Sequence, residues 1–267
     1  MTPVNSVLIT DADRVLAQIE RVVRWSDEFR LAFIKCNQSN QREKMRRALL
    51  KRLSDKSVRE IFLDKPIVSL LDELKARRDT IQPLDAVCVY GLEYSLRDLR
   101  EASPMLGRLN NDRDLIRQAI PAALLIWLPD FALDYVARGA PDFWAWRSGV
   151  YEFPTDVRLW QKESSVALEH DSTALLSLPL EDKQKEIAHI EELLRTARAL
   201  PQQDRRVQDT IARLSDRLGV VQASISNFEV AGKNFEKSLA IWETLGDQAN
   251  MAGSYHQLGN VAYLRGD

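Results

Sequence analysis

The chain has 267 residues, of which 45% are apolar and 28% charged, with a formal net charge of −2. That is enough chain for one large domain or two ordinary ones with well-buried cores. The balanced charge offers neither the basic excess of a general nucleic-acid binder nor an acidic tail. No apolar run approaches the ~20 residues of a membrane helix. The opening stretch, MTPVNSVLITDADRVL, lacks the basic start and apolar core of a signal peptide, so a cytoplasmic protein without membrane contact is expected. Cys36 and Cys88 lie in apolar, strand-like runs and are read as reduced core thiols.

Taken in order, Asp11 or Asp13 can cap a helix whose apolar face is Val15, Leu16, Ile19, Val22 and Val23. Phe29 to Cys36 reads as a strand, Asn37 to Asn40 as a polar turn, and Arg42 to Leu53 as a basic amphipathic helix. Val58 to Leu63 is a second strand, stopped by Asp64 and Pro66, and Ile67 to Arg77 a further helix. Leu84 to Leu92 gives a third strand and Asn110 to Ile120 a helix. The unbroken apolar run Ala122 to Leu128, stopped by Pro129 and Asp130, has the pattern of a strand buried on both faces. A short helix on Phe131, Leu133, Val136 and Ala137 follows. Then comes an aromatic segment, Phe143 to Phe153, in which Trp144 and Trp146 alternate as in a strand. Strands alternating with helices predict crossover connections and a mostly parallel sheet. Ligands of such sheets sit beyond the C-terminal strand ends, which here directs attention to the loops starting at Cys36, Asp64, Glu93 and Pro129.

From about Asp11 to Phe153 the chain resembles the core of a P-loop NTPase, closest to the STAND/AAA-like domains that precede TPR arrays in large bacterial signalling proteins. The resemblance is carried by FIKCN at 33–37, DAVCVYGLE at 85–93, RLNNDRDLI at 108–116, LLIWLPD at 124–130 and PDFWAWRSG at 141–149. A phosphate loop needs G-x-x-x-x-G-K-[ST], so that backbone N–H groups and a lysine cradle the phosphates. The segment Asn37 to Lys44 has no glycine, and the motif occurs nowhere else in the chain. The resemblance therefore implies a degenerate, non-catalytic domain without a cofactor. Glu93 stands near the place of a Walker B acid and would cap or pair locally. Were a nucleotide held regardless, Asn37, Glu93 and Asp130 would be the residues to hold it. Arg147 would then be a relic sensor arginine, its other reading being a structural ion pair.

In the back half, Asp182 to Leu200 is a charged amphipathic helix ended by Pro201. An internal repeat follows: Leu218-Gly219 recurs as Leu258-Gly259, forty residues on, with Val221 aligned to Val261 and Asn227 to Asp267. Each glycine is expected to let a partner helix approach closely. NFEKSLAIWETLGD and MAGSYHQLGNVAYLRGD resemble a tetratricopeptide repeat in its longer variant, with small-residue positions at Ala231 and Ala240 and the aromatic position at Tyr263. About one and a half such repeats are present, so an open edge is expected. Tyr255, Leu258, Val261 and Leu264 would face solvent or a neighbour and bind a protein partner or a second copy. The chain stops at Arg265-Gly266-Asp267, where a helix would turn rather than end, and further sequence beyond it is expected.

Other candidate chemistry is thin. His170, His189 and His256 show no i,i+4 pairing and no nearby cysteine, so no metal site is expected. Glu169-His170-Asp171 is a polar linker, and Ser164-Ser165 lacks a nucleophile-elbow context. Trp144 and Trp146 could offer one face to a partner. The basic residues between Arg42 and Arg52 make a solvated helix face, with nucleic-acid contact as the alternative. The expected organisation is an α/β domain over 1–160, a linker and connecting helix over 161–203, and TPR-like helices over 204–267. Function is expected to lie in protein interaction and signalling, with a divergent nucleotide-binding NTPase as the alternative.

Overall fold

The structure, a computed structural model, describes residues 11–77, 84–96, 104–169, 175–200 and 202–266. The chain divides into two compact units, Met1–Pro154 and Thr155–Asp267. The first is α/β. Its strands are β1 (Arg30–Lys35), β2 (Val58–Phe62), β3 (Ala86–Tyr90), β4 (Ala123–Leu128) and β5 (Arg147–Glu152). They form one sheet in the order β2-β3-β4-β1-β5, and every neighbouring pair is parallel.

Every residue of β3 and β4 is buried, because parallel strands joined by helical crossovers are covered on both faces. On one face Leu31, Phe33, Val87, Val89, Leu124 and Ile126 share a core with five helices. These are α3 (Leu70–Ala76), α4 (Pro104–Asn111), α5 (Arg113–Ala119), α6 (Asp130–Gly139) and α7 (Pro141–Ala145). On the other face Ala32, Ile34, Cys88, Leu125 and Trp127 pack beneath α1 (Asp11–Arg24) and α2 (Ser39–Arg52). The chain therefore leaves β1 through α2 on one face and leaves β4 through α6 on the other. The boundary between β1 and β4 is the switch point of the sheet, where ligands of open α/β sheets bind.

Three expectations need correction. Helix α2 begins at Ser39 rather than Arg42, so the polar turn is shorter than Asn37 to Asn40. The single helix expected from Asn110 to Ile120 is two, α4 and α5, parted at Asp112. The alternation of Trp144 and Trp146 is not that of a strand: Pro141 opens α7, a position suited to its fixed φ and missing N–H, and β5 starts only at Arg147.

Among the described residues the second unit is all helical: α8 (Val157–Glu169), α9 (Leu180–Arg198), α10 (Arg205–Ser224), α11 (Phe228–Leu245) and α12 (Gln248–Arg265). Within 161–203, expected as a linker with a connecting helix, Ala167, Ile190, Leu193, Ala197 and Leu200 are buried in one core. Trp160 of α8 is buried against Ile190, Leu193, Leu214 and Leu218, and its indole N–H donates to Leu193 O at 2.9 Å. No helix among the described residues is long and apolar enough to cross a membrane.

The two repeated glycines differ in their surroundings. A Cβ on Gly219 would lie 2.6 Å from Cε1 of the buried Phe235 ring, whereas Gly259 has nothing within 4 Å of that position. Gly219→Ala gains ~1 kcal/mol of helix propensity but must displace a buried ring, at a cost of about 1–3 kcal/mol. It is expected to lower the urea midpoint of the helical unit. Gly259→Ala, with no ring to displace, is expected to raise it slightly.

Candidate functional site

The C-terminal ends of the strands bring together Lys35, Cys36 and Asn37 after β1, Glu93 after β3, Pro129 and Asp130 after β4, and Glu152 at the end of β5. Gly91 makes the approach to Glu93 possible. Its φ is +86°, and a Cβ there would lie 2.0 Å from the Leu63 carbonyl oxygen, so only glycine fits. Only Cys36, Asn37 and Gln38 separate β1 from α2. Cys36 N–H still donates to Leu128 O at 3.0 Å, as if continuing the sheet. Gln38 is buried, and the Gln41 amide donates to Pro154 O at 2.8 Å.

The charged groups here bind one another. Arg42 Nη1 meets Glu93 Oε1 at 2.6 Å, with only 15% and 10% of the two side chains exposed. Lys35 Nζ lies 2.6 Å from Asp130 Oδ1 and 3.1 Å from Glu152 Oε1. Burial alone would lower the Lys35 amine, but its bonds to Asp130 and Glu152 together hold it above its ordinary value. Asn37 Oδ1 accepts the Asp130 backbone N–H at 2.7 Å. Two cations thus face three carboxylates, and both cations are paired.

Of the residues named for a nucleotide, Asn37, Glu93 and Asp130 do converge on this crevice. Arg147 does not. It is level with Leu31 at the start of β1, roughly 16 Å from the crevice at ~3.3 Å per strand residue. Among the described residues it makes no ion pair; its guanidinium lies 4.2 Å from the Trp144 ring centroid and donates to Trp144 O at 2.9 Å. Trp144 also packs on Phe33 at 4.9 Å. Trp146 packs edge-on to Phe29 and beneath Arg113 and Arg117. Both tryptophans are half-buried and engaged within the unit.

The basic helix is largely neutralised. Arg42 pairs with Glu93, Arg46 with Glu43 and Glu60, Arg47 with Glu43, and Arg52 with Asp13 and Glu20. Sequence reading overlooked an aromatic row beneath this helix. Phe62 stacks on Tyr90 at 4.9 Å, Tyr90 contacts Trp127 at 5.6 Å, and Trp127 stacks on Phe153 at 5.7 Å. The signal was present, since Phe62, Tyr90 and Trp127 each stand one or two residues before the end of the runs Val58 to Leu63, Leu84 to Leu92 and Ala122 to Leu128. Burial within this layer pushes the Cys88 thiol up to about 12, the opposite of an activated nucleophile.

In the helical unit Asp204 and Asp247 cap α10 and α12, accepting from Val207 N and Asn250 N. Ser226 (φ 63°) and Gly266 (φ 83°), forty residues apart, close these helices in the left-handed conformation. The Asp216 carboxylate of α10 joins three helices, accepting from Trp242 Nε1 at 3.4 Å and Ser254 Oγ at 3.1 Å. On α12, Tyr255, Tyr263 and Leu264 are exposed, with Tyr263 at 83%. Val261, expected at the surface, is instead buried against Ala231 and Phe235, and Leu258 packs on the same core. Ser254, Leu258 and Val261 follow the i, i+4, i+7 spacing of one helical face, and that face turns inward.

Among the described residues no group of His, Cys, Asp and Glu could hold a metal ion; His170 lies outside those residues. The chain matches no family model, no curated protein and no solved structure.

Breaking the Arg42–Glu93 pair should strand a buried charge. Arg42→Met or Glu93→Leu alone is expected to cost about 3–5 kcal/mol, and the double variant much less than the sum; a chemical-denaturation cycle measures the coupling. Burial raises the Asp216 carboxyl above its ordinary 3.8, although bonds from Trp242 and Ser254 oppose this. Its contribution to stability is fully present below 3.8 and is lost as pH rises through the raised folded value. Relative to Asp216→Asn, the native chain should gain thermal stability as pH falls through that window.

Proposed function

We propose that the chain is a non-catalytic interaction module, an α/β scaffold followed by TPR-type helices that bind a protein partner. The observation that carries this reading is the forty-residue recurrence in the helical unit. Leu218-Gly219 and Leu258-Gly259, and the left-handed closures at Ser226 and Gly266, mark the same unit twice. Stacked helical repeats of this kind build extended binding surfaces, and α12 leaves Tyr255, Tyr263 and Leu264 exposed. The resemblance to STAND/AAA-like proteins suggests a signalling or defence role in a bacterium, and two buried free thiols suit a reducing cytoplasm.

The convergence of Asn37, Glu93 and Asp130 at the switch point favours a second reading, a divergent nucleotide-binding domain. Against it stand the three-residue connection from β1 to α2 and the pairing of Lys35 and Arg42 with carboxylates. Calorimetric titration of the whole chain with ATP and GTP, with and without magnesium, separates the two. The module is expected to give no binding heat; tight binding abolished by Glu93→Ala would establish the second reading instead. Peptides selected by display on the whole chain are expected to lose at least ~10-fold in affinity in a Tyr255→Ala/Tyr263→Ala variant, since exposed tyrosines commonly anchor interfaces.

A further inference from the structure

The last three helices of the second unit share in its burial unequally. Helix α10 buries nine of its twenty residues and α11 five of eighteen, whereas α12 buries only Ser254 and Val261 of its eighteen. Its apolar seat is correspondingly small: Val261 lies against Ala231 and Phe235, with Leu258 packed beside them. A polar bond joins it to α10, from Ser254 Oγ to Asp216 Oδ1 at 3.1 Å. By contrast, Trp160, Ile190, Leu193, Leu214 and Leu218 share the larger core that holds α8, α9 and α10 together.

The sequence of α12 adds little stability of its own. Gly253 and Gly259 stand in its interior, and each disfavours the helix about fivefold relative to alanine. Packing requires neither glycine, since a Cβ at either position would have nothing within 4 Å. Asn250, Tyr255, His256, Asn260 and Tyr263 are weak helix formers too. Arg265 is the only Asp, Glu, Lys or Arg in the helix, so no ion pair can form between its own turns. Elsewhere in the unit such pairs join Lys185 to Glu181, Arg195 to Glu191, Arg213 to Asp209 and Lys233 to Glu229.

The connection to α11 suits a hinge. Only Gly246 and Asp247 separate the two helices, and Gly246 is left-handed at φ 71° with nothing within 4 Å of a Cβ. A glycine at that point absorbs changes of φ and ψ that other residues resist.

We propose that α12 is a lid that opens as one unit about Gly246 while α9, α10 and α11 stay folded, uncovering the apolar seat of Ala231 and Phe235. Local opening of this kind belongs to segments with few buried contacts. The seat is then a face that the open form alone presents. The proposal holds whether or not these helices bind a protein, so it does not rest on the interaction-module reading.

Native-state hydrogen exchange of the whole chain, read amide by amide in low urea, tests it. The amides from Ser254 to Val261 should share one opening, with at least ~10-fold less protection than those of Leu214 and Leu218. Val261→Ala should speed their exchange about tenfold by loosening the seat. Ile190→Val weakens the core shared by α9 and α10, and should speed exchange at Leu214 and Leu218 about fivefold. It should leave α12 unchanged, because the open form keeps that core. Three results would overturn the proposal: exchange in α12 as slow as at Leu214, exchange there that quickens in Ile190→Val or ignores Val261→Ala, and protection that merely fades inward from Arg265.

Discussion

Strands β3 and β4 reach no solvent on either face, and β1 hardly more, so the rest of the first unit is arranged to cover them. Two sets of helices must lie on opposite sides, and the chain has to change sides once. It does so across β2, so the helices leaving the neighbouring strands β1 and β4 lie on opposite faces, and the loop ends at Asn37 and Asp130 come together, where Asn37 accepts the Asp130 N–H. The polar crevice at the strand ends is thus a consequence of burying Leu31 to Ile34 and Ala123 to Leu128.

The same covering explains why the crevice is closed. Helix α2 must begin early enough to lay Met45 and Leu49 over the sheet, which leaves only three residues for the loop before it. Arg42 is then carried toward Glu93, and Lys35 at the strand end is flanked by Asp130 and Glu152. A phosphate would have to compete with carboxylates already hydrogen-bonded to both cations. In the helical unit the corresponding element is Asp216, a partly buried carboxylate that ties α10 to α11 through Trp242 and to α12 through Ser254.

Much of this was legible from residue order. Unbroken apolar runs marked β3 and β4, and the alternation of strands and helices gave the parallel sheet. Local pairing of Glu93 was also expected, and Arg42 fulfils it. What escaped was set by contacts distant in sequence. Trp144 and Trp146 have a strand-like spacing, but Pro141 and the packing of Phe143 on Phe33 turn the segment into a helix. Val261 was placed at the surface because its partners Ala231 and Phe235 lie on another helix. Lys35 drew no notice because its two carboxylates come from α6 and β5, about a hundred residues away in the chain.

The central claim is that the crevice at the switch point is filled by the chain's own groups. Hydrogen exchange at the amides of Cys36, bonded to Leu128 O, and Arg42, bonded to Gln38 O, tests it most directly, with and without magnesium and ATP. The account predicts strong protection at both amides, unchanged by nucleotide. Exchange near the unprotected rate that slows when magnesium-ATP is added would contradict it, showing an open loop that closes on a ligand.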